Sequence, residues 1–255
     1  MPTDSSFHNI GSPFIELQCV DSTNNYALEQ IHAGLAQAGT VFFAYEQTKG
    51  KGQRNKAWFT EKGSNIIISL LIEPQGLNIL QQFPLSACIA ISVYEFFSKY
   101  AGDETRIKWP NDIYWRDRKA GGILIENVLS SSGKWQWAVV GMGVNINQTE
   151  FSDGLLNPVS LKQITGKELD PIILAKELCI ILNDNFYKLL YEGTSSIMEL
   201  YNKVLYKKDQ VVKLKKDNRV FEAKILGVST TGQLMTTHAI DESFDFGGIE
   251  WVIGQ

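Results

Sequence analysis

The sequence predicts an α+β fold followed by a small all-β unit, and three observations lead there. Strand-like apolar runs alternate with longer stretches of helical periodicity as far as residue 206. From about Lys207 the pattern changes to short alternating segments, VVKL, VFEAKILGV, QLMTT and IEWVI, separated by Asp-Asn, Thr-Gly and Gly-Gly turns, as in a small β-barrel. The 255 residues, 44% of them hydrophobic, can fill one large domain, 1–206, and one small domain, 207–255.

The first ten residues are polar and expected to be loose. Phe14 to Val20 alternates as a strand, and DSTNN at 21–25 then offers four residue types that cap the apolar helix expected from Tyr26 to Leu35. Val41 to Tyr45 reads as a short strand leading into Gln47 to Thr60, which holds Lys49, Lys51, Arg54 and Lys56 without one acidic residue, inside a chain of net charge −4. Gly50 and Gly52 permit positive-φ turns by which successive backbone N–H groups can surround an anion. A solvated loop accounts for the same residues. Neither a P-loop nor a GxGxxG fingerprint is present. Trp58 and Phe59 supply an aromatic face, either to stack on a base or to anchor the loop.

Ile66 to Ile72 is expected to be a strand, and Leu77 to Tyr100 a packing helix, preceded or interrupted near Pro84. The densest polar punctuation follows, RIKWPNDIYWRDRKAGGILIEN at 106–127. Pro110 biases Trp109 toward extended backbone, so a strand ends at Lys108 and Trp109, with Asn111 and Asp112 on a turn. Lys119 precedes Gly121 and Gly122, where missing Cβ atoms leave room for close approach. Trp135 to Val144 is a further strand, with Gly141 and Gly143 near its end and Asn145 and Asn147 at its exit; Pro171 to Tyr191 and Ser196 to Tyr206 read as amphipathic helices.

Composition excludes several classes. Cys19, Cys88 and Cys179 are isolated, which suits reduced thiols, and no Cys/His spacing suits a structural zinc. The acidic balance disfavours nucleic acid. No run approaches the roughly 18 apolar residues of a membrane span, and no signal-peptide pattern opens the chain, so a cytoplasmic protein without a membrane partner is expected. His8, His32 and His238 sit in unpromising contexts for nucleophilic catalysis.

Four ordered motifs, DSTN at 21–24, QTKGKGQRNKAW at 47–58, KWPNDIYW with RKAGGILIEN at 108–127, and GMGVNIN at 141–147, resemble those of the biotin protein ligases. The resemblance implies a mixed sheet flanked by helices, like the class II aminoacyl-tRNA synthetases, with an SH3-like C-terminal domain. It also implies ATP-dependent adenylation of biotin, then transfer to a lysine of a biotin carboxyl carrier protein, by a monomer or homodimer. Carried over by position, Ser22, Thr23, Asn24, Gln47, Gly50, Lys51, Lys119 and Gly122 bind biotin, and Lys51, Arg54, Trp58, Asn111, Lys119, Gly141 and Asn145 bind ATP. Lys119 leads the catalytic set, with Lys51 and Arg54 sharing phosphate charge; Asp112 orients Lys119 or accepts the acceptor amine's proton, and Mg²⁺ is expected near Asn111.

The commonest family loop, GRGRxGR, is not matched fully: Lys51, Gln53 and Asn55 stand where arginine, arginine and glycine are usual, which costs Lys51 the bidentate fork and leaves Gln53 without a role. The match begins within about 20 residues of the start, so a short form without an N-terminal DNA-binding domain is expected. Two other readings compete: a lipoate or octanoate ligase or transferase of the same fold, and a non-catalytic oligonucleotide-binding module using the basic loop and the barrel.

Overall fold

The computed structural model describes residues 9–74, 76–152 and 157–252; residues 1–8, His8 among them, lie outside these, and so does the side chain of Asn55, while Ile10, expected to be loose with the polar start, is buried in the core and its N donates to Asn183 Oδ1 at 3.2 Å. A seven-stranded sheet is built from β1 (Phe14–Leu17), β2 (Val41–Ala44), β3 (Ile66–Ile72), β4 (Thr105–Lys108), β5 (Asp112–Trp115), β6 (Arg118–Leu129) and β7 (Trp135–Val144). Its spatial order is β1-β2-β3-β7-β6-β5-β4. Only the β1–β2 pair among these is parallel, which makes the sheet mixed. Central β3, IIISLLI, is buried at every position because both faces of the sheet are covered.

One face carries α1 (Thr23–His32), whose Ala27 packs with Phe42, Leu71 and Val139. The other carries α2 (Gln82–Ala101), with α4 (Pro171–Tyr191) and α5 (Thr194–Lys203) packed outside it. The expectation that no segment approaches a membrane span needs correcting. Residues 79–101 are long and apolar enough to cross one, but α2 lies inside the core, and that is why it is apolar on nearly all sides. Pro84 sits in its first turn, where a missing N–H costs nothing. Asp170 caps α4 by accepting from Ile172 N at 2.8 Å and Ile173 N at 3.2 Å, ahead of Pro171.

A second, antiparallel sheet follows, of β8 (Val211–Lys216), β9 (Arg219–Val228), β10 (Leu234–Thr237), β11 (Asp241–Phe244) and β12 (Glu250–Trp251), in the order β11-β10-β9-β8-β12. It docks beside the β4–β5 turn. Trp109 Nε1 donates to Gly232 O at 2.9 Å, and the apolar core continues from one sheet into the other through Leu214, Ile225 and Leu234.

Two further expectations change, and two short elements were not foreseen. The first helix begins at Thr23 rather than Tyr26, and Ser22 at its N-cap makes no side-chain cap; the first turn is tied instead by Gln47 Oε1, which accepts from Thr23 N at 2.7 Å. Gly50 and Gly52 do not adopt positive φ; Arg54 does, at 54°. Gly50 is needed for space, since a Cβ there would lie 2.3 Å from Trp58 O. Two short elements, α3 (Leu161–Thr165) and β11, escaped the sequence reading because each is too brief to show a period.

Candidate active site

Opposite residues of paired strands share a face, and the register lines up Lys108 (β4), Asp112 (β5), Gly122 (β6), Gly143 (β7) and Ile67 (β3) in one row across the sheet. Two residues along on the same face runs Leu124, Gly141 and Ser69. These rows floor a cavity of about 480 Å³, walled by the start of α1, the basic loop and residues 246–251. The volume suits a small organic ligand, for which sites of about 300–1,000 Å³ are usual.

At one end uncharged polar groups predominate, with the Lys51–Glu126 pair beside them. Ser69 Oγ lies 2.6 Å from Asn24 Oδ1 and 2.8 Å from Thr23 Oγ1, and Thr23 Oγ1 donates to Gln47 Oε1 at 3.1 Å. Asn24 Nδ2 donates to Glu126 Oε2 at 2.7 Å, and Lys51 Nζ is 3.6 Å from the other oxygen of Glu126. Ser22, Thr23 and Asn24 are buried, so the helix start expected from the sequence as a cap is turned into the cavity as a ring of donors and acceptors.

The middle is charged. Lys119 Nζ donates to Asp112 Oδ1 at 2.7 Å and lies 5.6 Å from the Trp58 ring centroid. Gly122 makes room for that pair, since a Cβ there would meet Lys119 Nζ at 3.3 Å and Asp112 Oδ1 at 3.4 Å. Lys108 lies beyond, its Nζ 5.2 Å from the Tyr114 ring and 5.4 Å from that of Trp251. Burial lowers its amine to about 8; Asp112 opposes the shift, and Lys119 and Lys56 add to it. Burial also raises the Tyr114 hydroxyl, with Asp112 and Asp117 pushing the same way.

At the far end Trp58 lies over Gly143, where a Cβ would come within 2.5 Å of its ring. The indole Nε1 is buried without a hydrogen-bond partner among the described residues. Gly141, assigned from the sequence to the same end, has its space taken by Asn24 Oδ1, 2.4 Å from where its Cβ would be, so it belongs to the polar end.

Other expected residues line the cavity while also holding the frame. Asn111 donates its amide to Ile123 O, and Asn145 Nδ2 donates to Val159 O at 3.1 Å. Asn147 is occupied with Leu169, donating to its O at 2.7 Å and accepting from its N at 3.0 Å. Arg54 turns toward the second sheet, its guanidinium 4.9 Å from the Phe246 ring centroid. Neither Asn147 nor Gly50 lines the cavity, and Gly50 lies behind Trp58.

Sequence reasoning missed Ser69, Glu126, the role of Lys108, and Phe246 with Trp251. Ser69 carried a readable signal, one fully buried hydroxyl in an otherwise apolar strand. The others become neighbours only through register and sheet docking.

Comparison with known proteins follows this layout. A family model described as "Biotin/lipoate A/B protein ligase family" matches residues 16–145, which contain all of the floor rows. The bifunctional ligase/repressor BirA of Salmonella typhimurium is 31% identical over 226 residues, covering 86% of this chain and 68% of its own length. The biotin--[acetyl-CoA-carboxylase] ligase of Paracoccus denitrificans is 36% identical over 157 residues, 59% of this chain and 63% of its own length. The solved structure of the biotin protein ligase from Aquifex aeolicus in complex with biotin and ATP superposes with a TM-score of 0.77 at 26% identity, covering 93% of this chain and 97% of that one. With residues 16–145 matched and a relative 31% identical over 86% of this chain, the chain belongs to the biotin/lipoate A/B protein ligase family.

Proposed function

We propose that this chain is an ATP-dependent biotin protein ligase that makes biotinyl-5′-AMP and then passes the biotinyl group to a lysine of a biotin carboxyl carrier protein. The observation that carries the reading is the three-part cleft. A largely uncharged donor–acceptor nest, a lysine–carboxylate pair and an indole whose N–H has no hydrogen-bond partner among the described residues share a single sheet face.

A cyclic urea needs both donors and acceptors, which Ser22, Thr23, Asn24 and Gln47 offer with Ser69 behind them, while Gly141 leaves room for Asn24. The biotin carboxylate then falls beside Lys119. One of its oxygens attacks the α-phosphate of ATP, the bond from that phosphorus to the bridging oxygen breaks, and pyrophosphate leaves. Lys119, oriented by Asp112, lowers the repulsion between the two anions, with Lys51 on the biotin side. Trp58 supplies the stacking face for the adenine, Asn111 and Asn145 border the nucleotide, and Arg54 reaches phosphate on leaving Phe246.

Mg²⁺ suits this donor set as a phosphate-held ion. No cluster of three or more His, Cys, Asp or Glu side chains occurs among the described residues, and Mg²⁺ is commonly held by substrate phosphates and waters with few protein oxygens, here next to Asn111. When bound it would neutralise phosphate charge. We read residues 1–206 as the catalytic unit, of class II synthetase type, and those from 207 onward as an SH3-like unit whose Phe246 and Trp251 close the cleft. The cytoplasm is the compartment in which ATP and the carrier meet.

The test is incubation with radiolabelled biotin, ATP and Mg²⁺, with and without a biotin carboxyl carrier domain. Biotin-dependent pyrophosphate release and carrier labelling are expected. Preference for lipoate or octanoate, or oligonucleotide binding without ATP turnover, would overturn the reading. The polar nest favours biotin, because a plain acyl chain would leave its hydrogen-bonding groups unpaired.

A further inference from the structure

Lys108 has no task in the adenylation step. Its side chain ends the floor row beside Asp112 and is partly exposed to the cleft, so a substrate can reach it. Lys119 holds Asp112 and Lys51 faces Glu126, but no carboxylate lies within ion-pair distance of Lys108 among the described residues. The groups around it are Asp112 and Tyr114 from β5, Lys119 from β6, Lys56 from the basic loop, Trp251 on β12, and Tyr206, which packs on both rings; Glu250 lines the same cleft. Two neighbouring cations oppose its charge, and the nearest anion is already shared. Asp112 is already engaged, its Oδ1 accepting from Lys119 Nζ at 2.7 Å.

We propose that Lys108 is a further catalytic residue, the base that takes a proton from the ammonium of the acceptor lysine so that its amine can attack the acyl-adenylate. This rests on the ligase reading above. The uncharged Lys108 amine accepts one proton, and the freed lone pair attacks the acyl carbon. The C–N bond forms, the bond from that carbon to the phosphate oxygen breaks, and AMP leaves with the electron pair. The second proton of the attacking nitrogen passes to solvent as the amide forms. With the amine lowered to about 8, roughly one tenth of it is uncharged at pH 7.

The experiment is single-turnover transfer from enzyme loaded with presynthesised biotinyl-adenylate to a biotin carboxyl carrier domain, followed from pH 6 to pH 10. For the wild type the rate is expected to rise about tenfold per pH unit and level near pH 8, short of the ordinary lysine value of about 10.4. Lys108→Arg and Lys108→Met are expected to transfer about 10²-fold slower at pH 7.5 and to keep rising toward pH 10. Loaded variants with the wild-type rate and profile would overturn the proposal. Since either variant can misfold, competitive trace acetylation of wild-type lysines, read peptide by peptide, gives a second measure; titration of Lys108 above pH 10 would also overturn it. A wild type that makes no biotinyl-adenylate from biotin and ATP overturns the ligase reading and this proposal together, whereas one that makes and transfers it while the Lys108 variants match it overturns this proposal alone.

Discussion

Lys119 Nζ and Asp112 Oδ1 are 2.7 Å apart, and the pair occupies the space that the missing Cβ of Gly122 leaves on β6, the strand that also carries Lys119. The lysine is therefore fixed in the cleft before any substrate arrives, which is what electrostatic catalysis requires. Lys119→Ala is expected to lower biotin-dependent pyrophosphate release by about 10²-fold or more. Asp112→Asn keeps the cation and loses its orienting anion, so a smaller loss, of about tenfold, is expected. Near-normal release by Lys119→Ala would exclude its assignment.

That pair also marks how far the sequence could be read. Strands β3 and β7 and helix α4 were legible to the residue, because long apolar runs and a Pro after Asp170 bound them clearly. The motif residues Lys119, Asp112, Trp58 and Thr23 were legible as members of one site. Their arrangement was not, since the row Lys108, Asp112, Gly122, Gly143 depends on register between strands far apart in sequence. The helix start was misplaced because Asp, Ser, Thr and Asn all look like caps until Gln47, from another segment, is seen to tie the first turn.

Ser69 tests the polar end of the cleft. Its hydroxyl links Thr23 and Asn24 from beneath and is fully buried. Ser69→Ala removes one neutral link, worth about 0.5–1.5 kcal/mol, so biotin affinity is expected to fall about two- to tenfold with ATP affinity unchanged. Titration calorimetry with each ligand separately checks this; an equal loss for ATP would mean that the serine supports the fold rather than the nest.

Asp117 is expected to contribute to stability against acid. Its carboxylate accepts from Tyr206 Oη at 2.5 Å and pairs with Lys207 Nζ at 2.9 Å, and these hydrogen bonds, Tyr206 first, hold it below its ordinary 3.8. A depressed carboxyl adds stability that is fully present above the unfolded value and lost as pH falls through the folded one. Asp117→Asn is therefore expected to unfold at lower urea than the wild type at pH 6, with the gap closing as the pH drops below 3.8. A gap that persists at low pH would put the effect in packing instead of charge.

Gly141 and Gly143 lie two residues apart on β7 and face the same cleft, yet different side chains meet them. A Cβ at Gly141 would fall 2.4 Å from Asn24 Oδ1, and one at Gly143 2.5 Å from Trp58 Cε2. Asn24 is pinned by Ser69 and Glu126 and cannot retreat without breaking both contacts, so Gly141→Ala is expected to disturb the polar nest. Trp58 would be lifted from the sheet by Gly143→Ala, spoiling the stacking face. Overpacking of this kind costs about 1–3 kcal/mol, which corresponds to roughly 5- to 150-fold in affinity. Gly141→Ala should thus raise KM for biotin and leave KM for ATP near normal, and Gly143→Ala should do the reverse. Steady-state kinetics with each substrate varied in turn separates the two, and equal effects on both substrates from either variant would show that the cleft is not divided between nest and indole.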